Sequence, residues 1–387
     1  MTERPVHSPL GASSAERWMK CPGSVALIAM LQMPPSDEPD FTKDGHAAHE
    51  TAAALLTNGS DAWELAGTTA SNGVEITASI ANAVQEYLDF CRARKRVLGG
   101  HGELEEVTEL IEVGLQMEER DNGYGTGDYV LYAHLLAHLE VTDYKNGAGI
   151  LVEVDNNPQL MYYAYMAIQR FPDARTVRLN IVQPNAPFHP DGIVRSWETT
   201  AEHIVEWVQT SLLPAMDAVQ IDATLDPGEH CRFCPAKLVC PVLSDLFKAA
   251  ACADPARVVR LDGETIARDL AQVAAVKFYV KALEKAAYAF LNSGTPVPGF
   301  KLVYQKADRR WAPGAPDLVV RFGDDAYEDR KIKSVAGIEK LSGDAKAFVK
   351  EWSFSPKTTL TVAPADDKRP AVAVKSGAET FAHIMET

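Results

Sequence analysis

The chain has 387 residues and a net charge of −15 at pH 7, with 46% hydrophobic and 24% charged residues. This length favours two domains, and the composition is that of a globular protein. The excess of acid excludes broad electrostatic binding to nucleic acid, so any contact with DNA must be local. No apolar run reaches the roughly 18 residues that span a bilayer, and the first residues lack the plan of a secretory signal. We therefore expect a cytoplasmic protein without a membrane segment.

The first 250 residues alternate between helical and strand-like patterns, read from the spacing of their apolar residues. In chain order, the predicted elements are helices over Ala15–Met33, Gly45–Thr57 and Glu75–Leu98, strands over 103–110, 111–118, Asp128–Leu131 and Leu139–Tyr144, a helix over Gln159–Arg170, a strand over Thr176–Val182 and a helix over Thr200–Ala218. This order favours an α/β core with a mixed central sheet flanked by helices.

The sequence changes character after Cys240, which places a domain boundary near residue 250. We expect one domain over residues 1–250 and a smaller one over 251–387. The second begins with a long helix over Leu261–Leu291, which ends at an Asn-Ser-Gly stop. The residues beyond Gly299 predict a small α+β segment.

Two aspartates and a lysine within residues 125–147 predict a hydrolytic metal site. Asp128 opens one predicted strand, Asp143 lies near the end of the next, and YAHLLAH between them predicts a hairpin turn. If the strands pair, the two carboxylates meet at one edge of the sheet, where a divalent cation relieves their repulsion. Lys145 is two residues after Asp143 and therefore faces the same side of the strand. Its ammonium can orient an attacking water and balance the charge of a scissile phosphate.

The segments Gly127-Asp128 and Asp143-Tyr144-Lys145 resemble the motif pair of the PD-(D/E)XK nucleases. This resemblance implies a restriction-endonuclease-like core. It also implies that the Tyr144 carbonyl joins the two aspartates in binding Mg²⁺ or Mn²⁺.

Two further segments resemble the RecB-like branch of that superfamily. Gly45-His46-Ala47-Ala48-His49 is similar to its first-helix motif, and Gln159-x-x-x-Tyr163 is similar to its motif on the helix after the active-site strands. The resemblance implies that His49 is a metal ligand. It implies that Gln159 and Tyr163 belong to the catalytic site, where they position the nucleophile or the DNA.

Clustered cysteines in a reducing compartment indicate a metal site. Three of them form a C-x2-C-x5-C segment and need a fourth ligand, for which Cys21 is the candidate. The four predicted ligands are Cys21, Cys231, Cys234 and Cys240. Thiolate ligands alone leave both zinc and an iron–sulfur cluster open.

The placement of one cysteine before the core and three after it resembles the iron–sulfur nucleases of the AddB type and the CRISPR-associated single-strand exonucleases. This resemblance implies a 4Fe-4S cluster that ties the N-terminal segment to the end of the nuclease domain. Residues 10–310 also resemble a family of phage and prophage proteins, through phrases such as DYKNG, NNPQLMYYAY, NIVQP and CRFCPAK. That setting implies a DNA exonuclease of phage recombination, replication or repair, acting on DNA ends in the host bacterial cytoplasm. It also implies a phage single-strand annealing or binding protein as a partner.

Three basic runs offer local DNA contacts, although a solvated face is the ordinary reading of each. One lies near Arg92–Arg96 and another near Arg330–Lys333. The run that combines positive charge with an aromatic able to stack on a base is the preferred candidate. It comprises Lys301, Lys306, Arg309, Arg310 and Trp311.

Two alternative functions fit the same sequence. The first is a catalytically silent nuclease fold that only binds DNA or a recombination partner. The second is a binding module whose cysteines hold zinc. The preference for an exonuclease over an endonuclease depends on the resemblance alone.

Overall fold

A computed structural model describes residues 8–31, 40–100, 106–147, 149–186, 191–251, 262–304, 310–312, 314–328, 331–354, 360–364 and 370–372. The chain forms two compact units, Met1–Val276 and Lys277–Thr387. The division falls inside the long helix rather than near residue 250. Among the described residues, no helix is both long and apolar enough to cross a bilayer.

The described part of the first unit contains five strands and eight α-helices before a ninth, which crosses into the second unit. The strands are β1 Val107–Gln116, β2 Tyr124–Ala133, β3 His138–Tyr144, β4 Thr176–Val182 and β5 Val194–Thr200. The helices are α1 Ala15–Lys20, α2 Gly23–Met30, α3 Asp40–Asn58, α4 Ala78–Leu98, α5 Pro158–Arg170, α6 Ala201–Trp207, α7 Leu213–Asp217 and α8 Pro241–Ala251. Helix α9, Gly263–Asn292, runs across the division between the units.

The five strands form one mixed sheet in the order β1-β2-β3-β4-β5. Neighbouring strands are antiparallel except β3 and β4, which run parallel. A parallel pair needs a crossover connection, and α5 lies in that connection. The predicted α/β class with a mixed sheet is confirmed.

Helices cover both faces of the sheet, and successive residues of β2 point to opposite cores. Val130 and Tyr132 pack with α1, α5 and α6 in one apolar core. Tyr129 and Leu131 pack with α3 and α4 in the other. A sheet covered on both faces explains why the second half of β2, residues 129–133, is an uninterrupted apolar run.

Several observed elements differ from the predicted ones. Strand β2 begins at Tyr124, so Asp128 lies inside the strand rather than opening it, and the helix predicted over Ala15–Met33 is divided into α1 and α2. Residues 103–118 were predicted to form two strands, but the described part of that segment contains the single strand β1. Strand β5 was not predicted, because only two of its seven residues, Val194 and Trp197, are apolar. The helix predicted over Thr200–Ala218 is confirmed in outline, with a π-helical stretch, Val208–Leu212, between α6 and α7.

The second unit contains short elements around a small apolar core. Its strands are β6 Phe300–Tyr304, β7 Arg310–Trp311, β8 Tyr327–Glu328, β9 Lys331–Ile332, β10 Ser353–Phe354 and β11 Leu360–Pro364. Its helices after α9 are α10 Leu318–Phe322, α11 Val335–Glu339 and α12 Gly343–Trp352. The strands pair as three two-stranded ladders, and the core lies among α10, α11 and α12.

Candidate functional site

The centre of the site is an interruption in the ladder between β1 and β2. These strands pair in register along their length except at Glu112 and Asp128, which lie opposite each other without pairing. Glu112 has φ of 45°, a left-handed conformation that residues with side chains rarely adopt. The Asp128 carboxylate instead accepts a hydrogen bond of 2.8 Å from the Tyr144 backbone N–H on β3. At this interruption, the side chains of Glu112 and Asp128 therefore do not follow the regular alternation of side chains between the two faces of the sheet.

Helix α3 brings His49 to these two carboxylates. The His49 Nδ1 atom lies 3.6 Å from Glu112 Oε1 and 3.6 Å from Asp128 Oδ2. The ring also packs on Tyr144, whose centroid is 5.3 Å away, and Tyr144 in turn stacks on Tyr87 of α4. The buried tyrosines thus fix the position of the imidazole.

Asp143, Lys145 and Gln159 form a second, adjoining group. Lys145 Nζ lies 3.2 Å from Asp143 Oδ1 and 2.9 Å from Oδ2. It also donates to Gln159 Oε1 at 3.1 Å, while Gln159 Nε2 donates to Asp143 Oδ1 at 2.8 Å. Gln159 is held here because the Asn157 side chain caps the start of α5, with Pro158 at its first position.

The predicted tyrosine of α5 depends on a glycine in β2. Tyr163 lies one turn after Gln159, on the same helix face, and its side chain is buried. A Cβ at Gly125 would lie 3.0 Å from Tyr163 Cε1, tighter than ordinary contact. Gly125 therefore allows the phenol ring to pack directly on the strand.

The loop after Lys145 is fixed by polar side chains from the end of β4. Gln183 donates to the carbonyls of Gly147 and Ile150 at 2.9 and 2.7 Å. Its own oxygen accepts a hydrogen bond of 2.7 Å from the buried Arg195. The NIVQP segment noted in the sequence thus supports the loop that follows the lysine.

Burial and neighbouring charges shift the protonation of three groups in the site. Burial lowers the pKa of His49, but the Asp128 carboxylate and Glu112 outweigh it and raise the pKa to about 9. Burial raises the pKa of Asp128 to about 7, against the opposing effect of His49. Burial also lowers the pKa of Lys145, but Asp143 and Asp128 outweigh it and leave that pKa above its usual value. The two aspartates therefore favour the protonated form of Lys145.

The donor set fits a divalent cation. One imidazole nitrogen and one oxygen each from Glu112 and Asp128 lie within 4.8 Å of one another. Asp143 Oδ2 is buried and, among the described residues, accepts no hydrogen bond of good geometry despite its proximity to Lys145. Imidazole nitrogen and hard carboxylate oxygens are suitable ligands for Mn²⁺, and the oxygens for Mg²⁺. Glu112 was not predicted, because no motif or spacing marks it in the sequence.

The four predicted cysteine ligands meet at one cavity in the first unit. Cys21, Cys231, Cys234 and Cys240 are all buried and line it together with Arg17. Backbone N–H groups of Asp226 and Gly228 lie 3.3 and 3.4 Å from the sulfur atoms of Cys21 and Cys231, respectively. Burial raises the pKa of the Cys231 and Cys234 thiols, and the neighbouring cysteines add to this effect. Four thiolates at this place therefore need a cation.

A close backbone approach brings Cys21 to the other cysteines. The Gly23 N–H donates to the Thr224 carbonyl at 3.0 Å. A Cβ at Gly23 would collide with the carbonyl oxygen of Ala223. The start of α2 thus packs directly against Ala223 and Thr224, which precede the C-x2-C-x5-C segment.

The basic run at the end of α4 is used within the protein. Arg92 pairs with Asp61 at 2.8 Å, Lys95 contacts Glu109, and Arg94 forms an ion pair with the buried Glu140 of β3. These cations hold α4 against the rest of the first unit, so they are not a free surface for DNA.

The preferred basic run lies in the second unit and is only partly described. Lys301 is on β6, Arg310 is exposed on β7, and Lys306 and Arg309 lie outside the described residues. The Trp311 ring is half-buried and packs near Phe348 of the small core, with centroids 5.8 Å apart. Its role in stacking on a base stays a prediction.

Comparison with known proteins gives a family and a distant structural likeness. The family model described as "Protein of unknown function (DUF2800)" matches residues 7–370. A crystal structure of SSO0001 matches with 12% sequence identity and a TM-score of 0.22, covering 59% of this chain and 95% of that chain. A likeness this distant gives no basis for an inference, whereas the family match spans most of the sequence. The chain therefore belongs to the DUF2800 family.

Proposed function

We propose that the protein is a Mg²⁺- or Mn²⁺-dependent deoxyribonuclease of the PD-(D/E)XK type, which hydrolyses phosphodiester bonds. The observation that carries the proposal is the proximity of Asp128, in the middle of β2, to Asp143 and Lys145 at the end of the neighbouring β3, with His49 beside them. This arrangement places carboxylates able to bind a metal beside a half-buried ammonium, a combination suited to hydrolysis of a phosphodiester.

Each residue has a role that follows from its contacts. His49 and the two aspartates would hold the cation, with the Tyr144 carbonyl as a further ligand. When bound, the cation supplies Lewis-acid stabilisation of the phosphate and lowers the pKa of a bound water. Lys145 stays protonated and balances the charge that builds on the phosphate. Gln159 holds the Asp143 carboxylate in place, and Tyr163 completes the wall of the site.

The finer proposal is an exonuclease that acts on DNA ends during phage recombination, replication or repair. A phage single-strand annealing or binding protein is its proposed partner. Support for both comes from the family resemblance of the motifs. The exonuclease and partner proposals can both be wrong while the nuclease proposal holds.

Digestion of labelled DNA in the presence of Mn²⁺ tests the nuclease activity. We expect Asp143→Asn and Lys145→Met to lower the rate by at least about 100-fold, since each removes a group that acts on the reacting phosphate. Asp155→Asn makes the same chemical change at an exposed aspartate and should retain activity. End-labelled single- and double-stranded substrates, with and without 5′ phosphate, should be degraded, whereas closed circular DNA should not.

The same assay decides against the proposal if no DNA form is cut. Tight DNA binding without cleavage would support the first alternative, a catalytically silent nuclease fold. Cleavage that survives both substitutions would show that the hydrolytic site lies elsewhere. Cleavage of closed circular DNA would show that the protein is an endonuclease rather than an exonuclease.

We also propose that the four cysteines hold a 4Fe-4S cluster of structural role. Support for a cluster over zinc comes from the resemblance of the cysteine arrangement to that of the iron–sulfur nucleases, and the four buried cysteines that line one cavity would supply its ligands. Protein purified without oxygen should contain about four irons per chain, and colourless protein that contains zinc and no iron would establish the zinc alternative.

A further inference from the structure

Glu112 combines an unusual backbone position with proximity to two groups of the proposed metal site. It lies on β1 opposite Asp128, at the point where the β1–β2 ladder is interrupted. Its carboxylate is 3.6 Å from His49 Nδ1, the same distance that separates His49 from Asp128. The three candidate ligand atoms lie within 4.8 Å of one another.

Three carboxylates share two cationic side chains around this site. Glu112, Asp128 and Asp143 bring three carboxylates together, whereas Lys145 is engaged with Asp143 and His49 is shared between the other two. The Asp143 side chain is only 5% exposed and its Oδ2 atom lies 2.9 Å from Lys145 Nζ, so its charge is already paired. Glu112 and Asp128 share the single imidazole of His49 at equal distances of 3.6 Å, and two carboxylates held around one imidazole nitrogen are suitable ligands for a divalent cation.

The backbone of Glu112 is held in its left-handed conformation by contacts with the surrounding structure, and not by the intrinsic preference of the residue. A φ of 45° is unfavourable for a residue with a Cβ, and it persists only where the surroundings compensate. An ordinary β conformation would return this residue to the regular alternation of the strand. The side chain is 37% exposed, so water and a cation can reach it.

The geometry points to Glu112 as a divalent-metal ligand of the chain, acting with His49 and Asp128. This inference rests on the proposed metal-dependent site, because Asp128 belongs to both. It adds a carboxylate from β1 to ligands expected from α3, β2 and β3. A further negative ligand strengthens the binding of a hard cation.

Titration of the metal-free protein with Mn²⁺, followed by electron paramagnetic resonance, tests the inference without DNA. We expect Glu112→Gln to weaken Mn²⁺ binding by at least about tenfold, because it removes one anionic ligand. Glu118→Gln makes the same change at an exposed residue just beyond β1 and should bind Mn²⁺ as the wild type does. A hyperfine coupling to the His49 nitrogen should be present in the wild type and lost in His49→Ala.

Glu112→Gly separates loss of a ligand from loss of the fold. Glycine adopts a φ of 45° without strain, so this variant should melt at or above the wild-type temperature while its Mn²⁺ affinity falls as in Glu112→Gln. Wild-type affinity in both Glu112 variants would overturn the inference. If Glu112 proves necessary for Mn²⁺ binding but no DNA is cut, the inference stands and the nuclease proposal fails. If DNA is cut and both variants bind Mn²⁺ normally, only the inference fails.

Discussion

Replacing Arg94 with methionine should lower the free energy of unfolding by about 3 kcal/mol, because it leaves the buried Glu140 carboxylate without its charge partner. Methionine keeps the apolar stem of the arginine and removes the guanidinium. The Glu140 side chain is 1% exposed and that of Arg94 is 19% exposed. Arg94 Nε lies 3.1 and 2.9 Å from the two carboxylate oxygens, and Nη2 donates to one of them as well.

The magnitude follows from the burial of the two partners. Removing one member of a buried ion pair costs about 3–5 kcal/mol, because the other charge is left unpaired in a poorly hydrated place. The partial exposure of Arg94 places the expected loss at the lower end of this range. The hydrogen bond of 3.3 Å between Glu140 and His138 remains and compensates for part of the loss.

The loss should depend on pH in a defined direction. Burial raises the pKa of Glu140, but the hydrogen bond from His138 and the Arg94 guanidinium outweigh it and hold the pKa below its usual value. A carboxylate whose pKa is lowered by folding stabilises the protein above its unfolded pKa, near 4.3, and this stability is lost as pH falls through the folded pKa. The difference between wild type and Arg94→Met should therefore be largest at neutral pH and shrink below about pH 4.

Urea unfolding at pH 7 and pH 3.5, followed by circular dichroism and tryptophan fluorescence, measures both effects. Arg96→Met is the matched control, because Arg96 is exposed on the same helix end and should change stability by less than about 0.5 kcal/mol. Equal stabilities of the two variants would refute the reasoning. So would an Arg94→Met protein of wild-type stability that binds DNA less tightly.

Two glycines give further predictions. Gly125→Ala should destabilise the protein by roughly 1–3 kcal/mol and lower any nuclease activity, since its Cβ would press on Tyr163 at 3.0 Å. Gly114→Ala on the adjacent strand meets no atom within 4 Å and should leave urea unfolding and activity nearly unchanged; equal effects of both would argue against the contact. Gly23→Ala should reduce the iron or zinc content of the purified chain, because its Cβ would collide with the Ala223 carbonyl and displace the segment that carries the first cysteine. Elemental analysis measures this, and full metal occupancy in the variant would exclude that role for the close approach.

Local patterns predicted the centre of the fold well. Strand β4 has the predicted bounds, because most residues of Thr176–Val182 are β-branched or otherwise apolar. Helix α5 begins one residue before its predicted start, where Asn157 and Pro158 supply a capping side chain and a preset backbone angle. The hairpin of β2 and β3 brings Asp128 and Asp143 to neighbouring strands, as the spacing of the two aspartates predicted.

The rest depended on contacts between distant segments. Glu112 reads as an ordinary charged residue of a strand, and its importance appears only when a left-handed backbone angle and α3 place it beside His49. The charges of the α4 run looked available for DNA, because their acidic partners are as many as 46 residues away in sequence. Without a partner in view, a sequence cannot distinguish a free cation from a buried pair.

The cysteine cavity has a consequence for the order of events during synthesis. Along the chain, 210 residues separate Cys21 from Cys231, and all five strands of the sheet lie between them. Ribosomes add roughly 5–20 residues per second, so the first cysteine emerges roughly 10–40 s before the second. The sheet can assemble within that interval, whereas the site has only one of its ligands. Loading of the proposed cluster would thus be a late event in the synthesis of the protein, and it would join an early segment of the nascent chain to one of the last-made parts of the first unit.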